Sequence, residues 1–131
     1  DQGADIVMNV ASGTGAGVLE GAKEAGKYAI GVDLNQDNDQ PGSILTSMVK
    51  RVDTASYTVI ESVVKDKFEG NTTEYLEVAN EGVGLTDFSV MKEHLGDQFP
   101  QEIIDKVNEL AEKIKNGEIV VDNYKGFGSN K

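Results

Sequence analysis

Gly13-Thr14-Gly15-Ala16-Gly17 is the first stretch of the chain whose residue types could do chemistry. It follows a short apolar run and precedes apolar residues at helical spacing, so it reads as the turn between a strand and a helix. Such a turn offers a ligand free backbone N–H groups and the positive end of a helix dipole. Asp33 closes the next apolar run, about twenty residues past the turn, where dinucleotide folds hold a ribose diol. A carboxylate suits vicinal hydroxyls because it can accept from both. Lys50 follows a third strand candidate. Beside Asp33 it would be charge-paired and could donate to a ligand oxygen. The competing readings are a turn chosen only for tight strand–helix packing and a lysine in solvent at a helix start.

The known phosphate motifs fail in detail. GxGxxG counted from Gly13 meets Val18 in place of its last glycine, and counted from Gly15 it meets Glu20. No Gly-Lys-Ser/Thr completes a phosphate loop. Asp33-x-Asn35-x-Asp37 starts like a calcium loop, but the sixth position is Asn38 and the twelfth Ile44. A solvated acidic loop is the better reading. His94, the single histidine, has no cysteine or second histidine to ligate with and is expected in a surface loop. Tyr28, Tyr57, Phe68 and Tyr75 are expected to pack in the core or at its rim. No cofactor is implied, and no catalytic apparatus is assembled.

The elements that must position these residues can be read from periodicity. Residues 5–11 form an apolar run, the glycine turn follows, and Val18, Leu19, Ala22 and Ala25 then recur at helical spacing up to Gly26. Residues 28–32 make a second strand that closes on Asp33. This is the size of a βαβ unit, with parallel strands and a right-handed crossover. Its C-terminal strand edge is where ligands of open α/β sheets collect. Residues 43–48 make a third strand. A helix follows from Lys50 to about Gly70, with Val52, Ala55, Val59, Ile60, Val63 and Val64 as its apolar stripe. Residues 74–79 alternate weakly like an edge strand, and residues 82–88 are extended. A helix from Pro100 to Gly117 and a short extended piece at 118–121 complete the pattern. The fold class is therefore α/β. Residues 1–121 form one unit, and residues 122–131 a polar, Gly-rich, mobile tail.

The chain has 131 residues, 12 Lys+Arg and 23 Asp+Glu, giving a net charge of −11. That excludes a nucleic-acid polymer as partner, because such binding depends on cations that neutralise phosphates. It also argues against adhesion to an anionic membrane. With 0 cysteines, disulfide and thiol chemistry are excluded. The chain opens on Asp1 and enters a strand within a few residues. A removed leader or a piece of a longer protein would both account for this.

The stretches GADIVMNVASGTGAGVLEGAKEAGKYAIGVDLNQ, SILTSMVKRVDTASYTVIESV and EGVGLTDF, in that order, resemble the basic membrane protein family. These are substrate-binding lipoproteins of ABC transporters, with nucleoside binders among them. The resemblance covers about residues 3–121. It implies a type I periplasmic-binding-protein fold, in which two α/β lobes close on a ligand, with this chain as the C-terminal lobe. Residues 82–88 would be a crossover segment, and the helix near 101–116 would pack at the hinge or on the other lobe. It further implies that Gly13 and Thr14 meet a ribose through the main chain, that Asp33 accepts from its hydroxyls and that Lys50 donates to its oxygens. The family commonly has Asp where Asn35 stands. The expected partners are a nucleoside, a purine one foremost, a transporter permease and an N-terminal lobe carrying the lipid anchor outside the cytoplasm. Two alternatives stay open: a nucleotide-dependent enzyme domain with a degenerate Rossmann turn, and a ligand sensor of the same fold.

Overall fold

A computed structural model describes residues 3–122. Apart from Asp122, the tail expected at 122–131 lies outside the described residues. The elements are β1 (Ile6–Met8), α1 (Gly15–Glu24), β2 (Tyr28–Asp33), β3 (Ile44–Lys50), α2 (Val52–Val64), β4 (Val83–Leu85), α3 (Ser89–Leu95), a 3-10 turn (Gly96–Gln98) and α4 (Gln101–Lys115). The four strands form one sheet in the order β1-β2-β3-β4. The first three run parallel, and β4 joins β3 antiparallel. The α/β class and the parallel βαβ unit are as expected. The extended 82–88 segment supplies the antiparallel strand.

Successive side chains of a strand face opposite sides of the sheet, and β3 shows this at its start. Ile44 joins Leu19, Ala22 and Ala29 in a core under α1, while Leu45 packs against a second core of Phe88, Met91, Phe99 and Ile104. Phe88 and Phe99 meet there at a ring separation of 5.9 Å. The sheet is thus covered by α1 on one face and by α3 and α4 on the other. Thr86 pins β4 to β3: its hydroxyl accepts from the Ser47 N–H at 2.9 Å, and its N–H donates to the Ser47 carbonyl at 3.0 Å.

Several expectations are corrected. No strand forms at 74–79. Asn80 instead draws this stretch into a turn, accepting from the Glu77 N–H at 2.7 Å and donating to the Tyr75 carbonyl at 2.8 Å. Residues 118–121 form no strand either, because the Glu118 and Ile119 N–H groups both turn back to the Lys113 carbonyl. His94 lies on α3, a helix the periodicity did not reveal, and its ring sits against Gly42. Helix α2 ends at Val64 and fully buries none of its residues, so the valines and Ile60 of its apolar stripe stay exposed. Tyr28, Tyr57, Phe68 and Tyr75 are likewise exposed, from 38% at Tyr28 to 66% at Tyr57.

Candidate ligand-binding site

Parallel order brings the ends of β2 and β3 side by side, with Asp33 in register with Val49. Lys50 follows Val49 as the last residue of β3. Its Nζ lies 2.6 Å from Asp33 Oδ1, with the side chains 58% and 45% exposed. An ion pair so open to water contributes at most about 1 kcal/mol, so fold stability does not explain it. The Lys50 ammonium covers Oδ1 and is its polar partner among the described residues. A carboxylate has about four lone-pair sites, so the half-exposed Asp33 keeps acceptor capacity next to a cation that can donate.

The backbone at Asp33 is unusual too. Its φ is +72°, in the left-handed region. The Leu34 N–H donates to the Val32 carbonyl at 2.9 Å, which closes a three-residue turn around Asp33. Turns of this hand are rare and strained for a residue with a Cβ.

Gly13 and Thr14 lie on the exposed loop beyond the end of β1, at the start of α1. Thr14 makes no side-chain cap, and the first turn of α1 carries no acidic residue. The helix thus opens with N–H groups that no side chain caps. Glycine at 15 has a clear cause. A Cβ there would land on the Asn9 side chain, 2.6 Å from its Cγ.

Behind Asp33 lies a polar cluster that motif reading missed. Asn9, Asp37 and Ser47 are 1%, 2% and 0% exposed. The Ser47 hydroxyl donates to Asp37 Oδ1 at 2.5 Å and accepts from the Gln36 N–H at 3.0 Å. Gln36 Oε1 accepts from the Val32 N–H at 2.9 Å and from Asn9 Nδ2 at 3.4 Å. Asn9 Oδ1 accepts from the Ala11 N–H at 3.1 Å. The Asp33–Asp37 loop is thus not a solvated acidic loop, because one of its carboxylates is buried and held by a hydroxyl. Asn35 Oδ1 accepts from the Asp37 N–H at 3.0 Å and fixes the turn. The sequence did hold a signal for this cluster. Gly31 interrupts a strand, which marks a close approach, and a Cβ there would meet Ser47 Oγ at 2.5 Å.

Beside this edge, a groove of about 990 Å³ runs between β4 and α4, lined by Asn35, Arg51, Val83, Leu85, Val107 and Ile114 among others. Arg51, which lines it, donates to the Asp53 carboxylate and holds it below its usual range. Asp87 is also held low, by hydrogen bonds from the Ser89 hydroxyl and amide.

The profile of the Bmp family, described as ABC transporter substrate-binding protein PnrA-like, matches residues 1–125. The chain belongs to this family. Among Bmp relatives, it is 34% identical to basic membrane protein D of Borreliella burgdorferi strain JD1, over 91% of this chain and 34% of that protein. It is 32% identical to an uncharacterized lipoprotein of Pyrococcus furiosus, over 90% of this chain and 37% of that one. The chain thus spans about a third of the length of these curated relatives. An ABC transporter solute-binding protein from Aeropyrum pernix K1 superposes with a TM-score of 0.77 at 25% identity, covering 96% of this chain and 42% of that one. A transcriptional activator of the comK gene from Bacillus halodurans shares the fold, with a TM-score of 0.76 at 23% identity, over 91% of this chain and 39% of that one.

Proposed function

We propose that this Bmp-family chain is the C-terminal lobe of an ABC-transporter solute-binding protein that captures a nucleoside, a purine nucleoside foremost. The observation that carries this reading is the half-exposed Asp33–Lys50 ion pair at adjoining strand ends, with Asp33 held at φ +72°. A ribose diol would donate to that carboxylate, and Lys50 would donate to a ribose oxygen. The uncapped turn at Gly13 and Thr14 would add backbone donors. A nucleoside is neutral, so one acid–base pair orients it without leaving a net buried charge. The enzyme alternative needs a phosphate cradle, and the glycine spacing does not supply one.

Capture works by closure of two lobes, with contacts from both shifting the population toward the closed form. The second lobe is the N-terminal one and carries a lipid anchor outside the cytoplasm, and a membrane permease receives the ligand. Calorimetry of the full-length polypeptide with inosine, adenosine and guanosine tests the reading. Asp33→Ala should weaken ribonucleoside binding by about 100-fold or more, as expected when a site built for hydroxyls loses its acceptor. Unchanged affinity would remove Asp33 from the site.

A further inference from the structure

We infer that Gln36 is the positioning residue of this site: its side-chain carbonyl holds the Val32 peptide so that Asp33 is presented in its left-handed conformation. The inference rests on the reading of Asp33 as a ligand acceptor and adds a residue that reading does not use. Every buried backbone N–H needs a partner. Strand β1 ends at Met8, and its last bond to β2 runs from the Asn9 N–H to the Ile30 carbonyl at 3.0 Å. The next donor on the β1 side of β2, the Val32 N–H, finds Gln36 Oε1 at 2.9 Å. The Gln36 side chain thus stands in for a strand that has turned away.

Val32 is held on both sides, because its carbonyl takes the Leu34 N–H at 2.9 Å. Between these two fixed points sits Asp33, at φ +72°. Gln36 is itself fixed from two strands: by Asn9 Nδ2 beyond β1, and by Ser47 Oγ on β3, which is locked in turn to the buried Asp37. Gly31 leaves the room this needs, since a Cβ there would lie 3.0 Å from Gln36 Cβ. Without the Gln36 acceptor, the strained turn loses its anchor and Asp33 relaxes away from Lys50.

A merely structural role would weaken every ligand alike, whereas a positioning role acts only on groups that Asp33 touches. The test compares inosine with 2′,3′-dideoxyinosine, which lacks the hydroxyls, by calorimetry on the full-length polypeptide. Wild type should prefer inosine by about 100-fold. Gln36→Met keeps the side-chain length and removes the acceptor. It should cut that preference by about 10-fold while dideoxyinosine affinity stays within about 2-fold. A preserved preference, or equal weakening of both ligands, would overturn the inference. If Gln36→Met does not fold, Ser47→Ala loosens Gln36 through its backbone and should lower the same preference by about 3-fold; an unchanged preference there also overturns it. A wild type that does not distinguish the two ligands would defeat the reading of Asp33 itself, and the positioning role with it, before any substitution is made.

Discussion

Helices α1 and α2 each leave the C-terminal end of a strand in the same sheet, and both carry apolar residues at helical spacing. Helix α1 buries Leu19 and Ala22 against Ala29 and Ile44. Helix α2 leaves Val52, Ile60 and Val64 at 67%, 63% and 76% exposure. The pattern in each helix says that one face favours burial; it does not say that the cover lies within the described residues. The same contrast holds for polar groups. Around β1, β2 and β3 they are sunk into a cluster that binds three strand ends together. Along α2 and α4 they form ion pairs in water, such as Lys65–Glu61 and Lys115–Glu112. The strand ends that carry the candidate site are therefore packed by described residues on their apolar and polar sides alike, whereas α2 has no such cover among them.

One of the two largest effects that would sharpen this contrast comes from Gly15→Ala. The added methyl displaces Asn9, leaving the Ala11 N–H without its partner and Gln36 without one support. Overpacking and a lost buried bond together should cost about 2–4 kcal/mol, read by urea denaturation. A cost below about 0.5 kcal/mol would show that the polar cluster does not hold the strand ends. Next come paired substitutions on the two sides of the comparison. Ile44→Ala, in the α1 core at 1% exposure, should cost about 2–5 kcal/mol. Ile60→Asn on the open face of α2 should change the stability of the 131-residue chain by no more than about 0.5 kcal/mol. Equal costs would erase the distinction between the two helices and would mean that α2 has a partner face.

What the sequence made legible follows the same division. Strand, turn, helix and strand between residues 5 and 33 could be read because each boundary has local chemistry: a glycine turn, a helical stripe, a closing glycine. Asp33 and Lys50 could be set at one sheet edge because parallel order follows from the crossover rule, and they form an ion pair there. The cluster behind them could not be read in the same way. Asn9, Gln36 and Ser47 look like ordinary polar residues until three strand ends converge, and their partners lie 27 and 11 residues apart. Periodicity also missed α3, because Ser89–Leu95 is too short to show two turns of a stripe. Asn80 defeated the strand at 74–79, because side-chain bonds to nearby backbone compete with a ladder.

The smallest expected effect belongs to the charged face of α4, where Glu109 sits between two lysines. Lys106 Nζ lies 2.8 Å from one of its oxygens and Lys113 Nζ 2.5 Å from the other. Their hydrogen bonds, more than their charge, lower the Glu109 carboxyl from its usual 4.5 to about 2. A carboxyl whose folded value is depressed adds stability above its unfolded value and loses it as pH falls through the folded one. The contribution of Glu109 should therefore be complete above about pH 4.5 and gone near pH 2. Water and salt screen so exposed a group, so only a small shift in thermal midpoint is expected. Glu109→Gln should melt slightly below wild type at pH 7, with the gap closing between pH 4.5 and pH 2 and shrinking in high salt. A gap that persists at pH 2, or that ignores salt, would mean that Glu109 acts by packing on α4 and not by charge, and the contrast between a polar interior at the strand ends and a merely solvated charge on the later helices would lose its clearest surface case.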